Sequence, residues 1–213
     1  MTFMHRPYQK QETIAAIATP PGEGGVAIIR ISGEFALEVA SKIYSGPLLS
    51  YASHTVHVGK IINLKKELID EVVIIPMRAP KSYTGEDTVE IHCHGGSLVA
   101  KKVLKSALEA GARAALPGEF TFKAYMNGKI DLAQAEAVQS LIGAKNEHAL
   151  FQAEEMLQGA LSKKIEDFQN RLLEIAAIIE AWVDFPEEGL EFATEEEIVE
   201  KLQTLSLQMD KLA

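Results

Sequence analysis

The sequence has little of what secreted or membrane-spanning proteins need. One cysteine in 213 residues can form no internal disulfide, so nothing in the chain requires an oxidising compartment. No apolar run approaches the ~20 residues that cross a bilayer. Residues 1–11 also lack the apolar core of a secretory signal. Since 47% of the residues are hydrophobic and can bury a core, we expect a cytoplasmic globular protein without a membrane partner.

The chain is also poor in basic residues. Its 21 Lys and Arg face 30 Asp and Glu, for a formal net charge of −9. Nucleic-acid binders usually carry a basic surface, because phosphate contacts supply much of their affinity. The composition therefore argues against a free-standing nucleic-acid binder. Residues 184–200 hold eight acidic residues and no basic one, and this acidic stretch is either a solvated loop or a docking surface for a basic partner.

Hydrophobic patterning predicts an α+β protein whose first part mixes strands and helices. Glycine- and proline-rich turns separate several short β-branched runs, which are typical of strands. The predicted strands are residues 13–18, 26–32, 55–62, 68–77, 87–93 and 113–116, and the predicted helices are residues 35–44 and 97–110.

The second part, from about residue 130, is helical throughout. Asp131 with Gln134, and Thr194 with Glu197, have the spacing of capping boxes at helix starts. They predict a helix over residues 132–144 and a last helix that runs to the final residue. Between them a four- and three-residue repeat predicts one long amphipathic helix ended by Pro186. Its stripe is Leu157, Leu161, Ile165, Phe168, Leu172, Ile175, Ile179 and Trp182. Unpaired leucines near the end suggest a chain cut within a larger architecture.

Candidate ligand-binding groups cluster in the first part. Glycines 22, 24 and 25 form a turn that either admits a ligand or satisfies backbone geometry. The turn is not a phosphate loop, because no glycine in the sequence begins a G-x-x-x-x-G-K-[ST] pattern. Glu90, His92 and His94 alternate on one face of a predicted strand. Without a third or fourth ligand at suitable spacing we expect no metal site.

Two charged residues lie within otherwise apolar predicted strands, and the question for each is whether it faces water or contacts a polar group. Glu90 stands between Val89 and Ile91, and Arg30 between Ile29 and Ile31. A carboxylate there either faces water, the commoner arrangement, or accepts hydrogen bonds from a planar, donor-rich group. An arginine there is either exposed or supplies a planar fork for carboxylate or carbonyl groups.

Three stretches together resemble the MnmE (TrmE) family of tRNA-modifying GTPases. They are ATPPGEGGVAIIRISG at residues 18–33, SYTGEDTVEIHCHGG at residues 82–96 and PGEFTFKAYMNGKIDLAQAEA at residues 117–137. The resemblance covers about residue 12 to the end. It implies an N-terminal extension over residues 1–11, a folate-binding, dimerising domain over residues 12–129 and part of a helical domain over residues 130–213.

The resemblance also implies ligands and partners. The family's contacts to 5-formyl-tetrahydrofolate, or a related reduced folate, fall on Arg30, Glu90 and Lys129, with Gly24, Gly25, His92 and His94 as further candidate lining residues. The family forms homodimers, works with the flavoprotein MnmG and modifies the wobble uridine of tRNA. Its GTPase domain, with GTP, magnesium and potassium, has no counterpart here, so we expect no catalytic residue and no GTP hydrolysis from this fragment.

Two other functions remain open from the sequence. One is a folate-dependent aminomethyl- or formyl-transferring enzyme without a GTPase. The other is a structural dimerisation module that binds no small molecule.

Overall fold

A computed structural model describes residues 12–185 and 193–212. The chain divides into two compact units, residues 1–131 and residues 132–213. The predicted N-terminal extension and the centre of the acidic stretch lie outside the described residues. The first unit combines a sheet with helices and the second consists of helices, which confirms the α+β prediction.

The first unit is built on a six-stranded sheet. Its strands are β1 (Ile14–Ile17), β2 (Val26–Ser32), β3 (His57–Ile62), β4 (Leu68–Met77), β5 (Thr88–His94) and β6 (Arg113–Ala114). Their order is β3-β4-β5-β2-β1-β6. Neighbouring strands are antiparallel except for β1 and β6, which are parallel. Strands β2 and β5 therefore lie side by side at the centre, although about 60 residues separate them in the chain.

The two faces of the sheet differ in character. Because side chains alternate along a strand, Ile29, Ile31, Val89 and Ile91 share one face and are fully buried. This face forms the core with α1 (Ala36–Ile43) and α2 (Ser97–Glu109). The residues between them, Arg30 among them, are only partly buried on the opposite face.

A third helix of this unit, α3 (Glu119–Met126), was not predicted. Its sequence, EFTFKAYM, is rich in aromatic residues and threonine, which have modest helix propensity. Gly118 enters the helix in the left-handed conformation, with φ of 75°. Tertiary packing compensates, since Ala124 and the whole Lys123 side chain are buried beneath it.

The second unit contains α4 (Leu132–Gly143), α5 (Glu147–Leu157), α6 (Ala160–Asp184) and α7 (Glu195–Asp210). The single long stripe predicted from Leu157 onward is wrong in one respect, because Leu157 closes α5 and a new helix follows. Gly159 adopts φ of 82° between them, a left-handed geometry that glycine accepts without steric cost. The other stripe residues all lie on α6, where Ile175 is buried but Ile165, Leu172 and Ile179 are at least 40% exposed. The helix ends before Pro186, as predicted.

Capping defines the start of α7. Thr194 accepts from the Glu197 N–H and the Glu197 carboxylate accepts from the Thr194 N–H, so the predicted capping box is confirmed. The helix ends at Asp210 rather than at the last residue. Among the described residues, none of the helices combines the length and the hydropathy needed to span a bilayer.

Candidate folate site

Strand pairing brings Arg30 and Glu90 together. The register of β2 and β5 sets the two residues directly opposite each other. Arg30 Nε and Nη2 both donate to Glu90 Oε1, at 2.9 and 2.7 Å. The Glu90 side chain is only 16% exposed, so the simpler expectation that it faces water is wrong. Its partner is the planar, donor-rich group that the sequence left as the alternative.

The second oxygen of Glu90 is less fully used. In the part of the chain that the structure describes, Glu90 Oε2 has one long contact, 3.4 Å to His92 Nε2. Both arginine donors converge on the other oxygen, whereas an arginine–carboxylate pair more often engages both oxygens in parallel. The carboxylate therefore keeps an acceptor available beside an already neutralised charge.

Two aromatic rings flank the guanidinium. Arg30 Cζ lies 5.6 Å from the ring centroids of both Tyr83 and Phe120, within cation–π range. Tyr83 belongs to the loop between β4 and β5 and Phe120 to α3, and the Tyr83 hydroxyl is 2.9 Å from Thr121 Oγ1. Neither residue was among the candidates predicted from the sequence. Each lies two residues from a glycine within a quoted motif, Tyr83 before Gly85 and Phe120 after Gly118, which is a signal that could have found them.

The β4–β5 loop (residues 78–87) is anchored to α3 from beneath. Lys123 Nζ donates to Glu86 Oε2 at 2.7 Å and to the Glu12 carbonyl at 2.8 Å, and its side chain is completely buried. Asn127 donates to the carbonyl of Thr84, whose hydroxyl contacts Ser32 at 2.7 Å. The loop that carries Tyr83 is therefore held by a buried ion pair and by buried hydroxyls.

Lys129 lies against the same loop, and its amino group contacts that loop rather than the Arg30–Glu90 pair. Its Nζ donates to the Pro80 carbonyl at 3.1 Å, and its Cγ is near the position that a Cβ on Gly85 would occupy. Within the described residues it makes no hydrogen bond or ion pair with Arg30 or Glu90. The structure thus pairs two of the three predicted folate contacts and leaves the third exposed on the neighbouring loop.

The predicted lining residues divide between two clefts. Gly24 borders a cleft of about 500 Å³ beside the start of α2, whereas Gly25, His92 and His94 border a shallower groove of about 330 Å³ that also contains Val58. Arg30 and Glu90 line neither cleft. Of these four candidates, the contacts bring only His92 to the Arg30–Glu90 pair.

The other candidates have structural contacts. His94 Nδ1, at the end of β5, lies 2.8 Å from Asp70 Oδ1 on β4. A Cβ on Gly95 would fall 1.6 Å from the Gly24 carbonyl oxygen, so the backbones meet where only glycine fits. Across the described residues, no three His, Cys, Asp or Glu side chains are placed to hold one metal ion.

An acid–base cluster ties α3 to the start of the sheet. Arg113 donates to Glu12 and to both carboxylate oxygens of Glu119, which also accepts the Leu116 N–H. Burial alone would raise the pKa of Glu119, but the hydrogen bonds from Arg113 and Leu116 outweigh it and leave the pKa below its ordinary value.

Comparison with known proteins agrees with this architecture. The family described as GTP-binding protein TrmE N-terminus matches residues 13–129, and the family described as MnmE helical domain matches residues 132–213. The chain belongs to the TrmE/MnmE family. The two matched ranges meet where the structure divides into its two units, and the resemblance identified from the sequence motifs is confirmed.

Relatives within the MnmE family are longer than this chain. A tRNA modification GTPase MnmE of Protochlamydia amoebophila is 66% identical over 212 residues, which is 100% of this chain and 46% of that protein. Proteins of the same name from Chlamydia caviae and Chlamydia trachomatis serovar L2 are 52% and 48% identical, over 84% and 85% of this chain and 40% and 41% of their own lengths. The chain thus spans less than half the length of these curated relatives.

Proposed function

We propose that the first unit binds a reduced folate, such as 5-formyl-tetrahydrofolate, through Glu90 and Arg30. The observation that supports this most directly is the one-sided pairing of the two side chains. Glu90 Oε2 keeps acceptor capacity, and Arg30 Nη1 makes no hydrogen bond within the described residues. A 2-amino-4-oxopyrimidine ring carries N–H donors next to a carbonyl acceptor, so its edge complements this acceptor–donor pair.

The proposed roles of the other residues follow from their positions. His92 borders Glu90 on the same face of β5. Lys129 is exposed on the adjacent loop, and its side-chain partner within the described residues is the Pro80 carbonyl. A lysine that remains largely solvated can turn toward a carboxylate at little cost. We assign Lys129 to the glutamate tail of the folate, at the outer end of the site.

Calorimetry with 5-formyl-tetrahydrofolate tests the site. Glu90→Gln removes a charged acceptor from partly buried donors, a loss of about 1.5–3 kcal/mol, which corresponds to a roughly 10- to 150-fold weaker affinity. Glu38→Gln, at an exposed position of α1, is the matched control and should bind like the parent chain. Unchanged affinity in Glu90→Gln would remove this carboxylate from the site.

We further propose that the chain forms a homodimer through the open face of the sheet. Val58 and Val26 are 68% and 57% exposed beside the groove that His92 borders, and exposed apolar patches often mark interfaces. Val58→Asp should shift the mass measured by light scattering toward the 23.3 kDa monomer. A parent chain that is already monomeric at micromolar concentration contradicts this proposal.

For the complete protein we propose tRNA modification at the wobble uridine, in the cytoplasm and together with the flavoprotein MnmG, as the names of the relatives and the motif resemblance suggest. GTP hydrolysis, with magnesium and potassium, is assigned to parts of the relatives that this chain does not cover. The chain should accordingly show no GTP turnover. GTP hydrolysis that co-purifies with this chain and is lost with Glu90→Gln would contradict that assignment.

A further inference from the structure

The guanidinium of Arg30 lies between two rings from different elements. Tyr83 approaches from the β4–β5 loop and Phe120 from α3, and each ring centroid is 5.6 Å from Arg30 Cζ. Arg30 itself is 27% exposed and extends from a face of the sheet that α1 and α2 do not cover. Among the described residues, the contacts of the guanidinium are to these two rings and to Glu90, so the rings restrict how this long side chain can turn.

The geometry of the ion pair shows what the rings accomplish. A free arginine and carboxylate favour the parallel arrangement, in which two N–H groups meet two oxygens. Here both donors meet Glu90 Oε1. If Arg30 rotated into the parallel arrangement, Glu90 Oε2 would be consumed and the acceptor for a ligand would be lost.

Contacts within the fold hold the two rings at a fixed spacing. The Tyr83 hydroxyl contacts Thr121 on α3, one residue from Phe120. The buried Lys123–Glu86 pair joins the same loop to the same helix. Because both attachments connect the element that carries one ring to the element that carries the other, the spacing between the rings is set by the fold.

We propose that Tyr83 and Phe120 are positioning residues, which hold Arg30 on one oxygen of Glu90 and so keep the other oxygen open for the pteridine. This inference rests on the proposed folate function. Its distinguishing feature is that the rings act through Arg30 rather than by touching the ligand. Their contribution to affinity should therefore vanish when the guanidinium is absent.

A double-mutant cycle on the full chain tests this dependence. In calorimetry with 5-formyl-tetrahydrofolate, Phe120→Leu should weaken binding roughly five- to twentyfold, the range expected for partly buried cation–π contacts. In an Arg30→Met background the same change should alter affinity less than about twofold. Equal weakening in both backgrounds, or no weakening with Arg30 present, overturns the proposal.

Conservative variants distinguish the effect of the aromatic ring on affinity from the effect of general packing. Tyr83→Phe keeps the ring and loses only the contact to Thr121, so it should recover most of the affinity lost in Tyr83→Leu. Tyr125→Leu changes another partly exposed aromatic residue of α3 and should bind like the parent chain. If Tyr83→Phe binds as weakly as Tyr83→Leu, the hydroxyl rather than the ring is responsible and the proposal fails.

A measurement without ligand distinguishes this inference from the folate proposal. Ring currents from two flanking faces should shift the Arg30 Nε–H resonance upfield in nitrogen-15 NMR spectra, and Phe120→Leu should reverse most of that shift. A parent chain that shows the shift but binds no reduced folate refutes the folate function alone. An Arg30 resonance that Phe120→Leu leaves unmoved refutes the aromatic positioning, whatever the calorimetry shows.

Discussion

Removing the buried charge of Lys123 should destabilise the first unit severely. Lys123→Met keeps the length of the side chain but leaves the Glu86 carboxylate, 13% exposed, and the Glu12 carbonyl without their donor. Breaking a buried pair on one side costs about 3–5 kcal/mol, because the remaining charge stays desolvated. Adding Glu86→Gln removes that charge. The double variant should therefore be more stable than Lys123→Met alone.

The chain provides a separate optical signal for each unit. All five tyrosines precede residue 132, whereas the single tryptophan, Trp182, lies on α6. In urea unfolding, the near-ultraviolet circular dichroism of the tyrosines should report the first unit and Trp182 fluorescence the second. Lys123→Met should move the tyrosine transition strongly. A loss below about 1 kcal/mol, or no recovery in the double variant, would refute the reasoning from a buried unpaired charge.

Three further outcomes follow from single contacts. The pKa of Glu119 is lower in the folded chain than in the unfolded chain, so this carboxylate stabilises the fold above the unfolded pKa of about 4.3, and the stabilisation is lost as the pH falls through the folded pKa. In Glu119→Gln the free energy of unfolding should therefore fall less steeply on acidification. Gly95→Ala should lower the free energy of unfolding by at least about 1–3 kcal/mol, because the added methyl group would clash with the Gly24 carbonyl, and the loss is measured as a drop in melting temperature. Gly25→Ala is the control, because its methyl group would enter open space and should change the melting temperature little. Thr194→Ala should cost about 1 kcal/mol of α7 stability, seen in helical circular dichroism on urea titration.

Local sequence patterns accounted for most of the elements but failed at two informative places. Strand β2 was predictable from its β-branched run and β5 from its alternating pattern, each between clear turn signals. Helix α3 was missed because its aromatic sequence has little intrinsic helix preference and depends on the burial of Lys123. The break at Gly159 was missed because a single glycine is tolerated inside a helical pattern. Its left-handed conformation is visible only in three dimensions.

The candidate site residues show the same division. Arg30 and Glu90 were each recognisable as charges within apolar strand sequence, yet each had an ordinary solvent-exposed explanation. Only the register between β2 and β5, across 60 residues of chain, pairs them. The pairing also explains why neither charge incurs the full cost of burial.

Residue types and their spacing were sufficient to establish the family, the α+β class and the identity of the charged candidates, because these depend on local propensity and on motif sequence. Which oxygen of Glu90 is occupied, which rings surround Arg30 and where Lys129 points depended on tertiary structure. These features arise from contacts between β2, β5, the β4–β5 loop and α3, and no local pattern specifies how side chains distant in sequence meet.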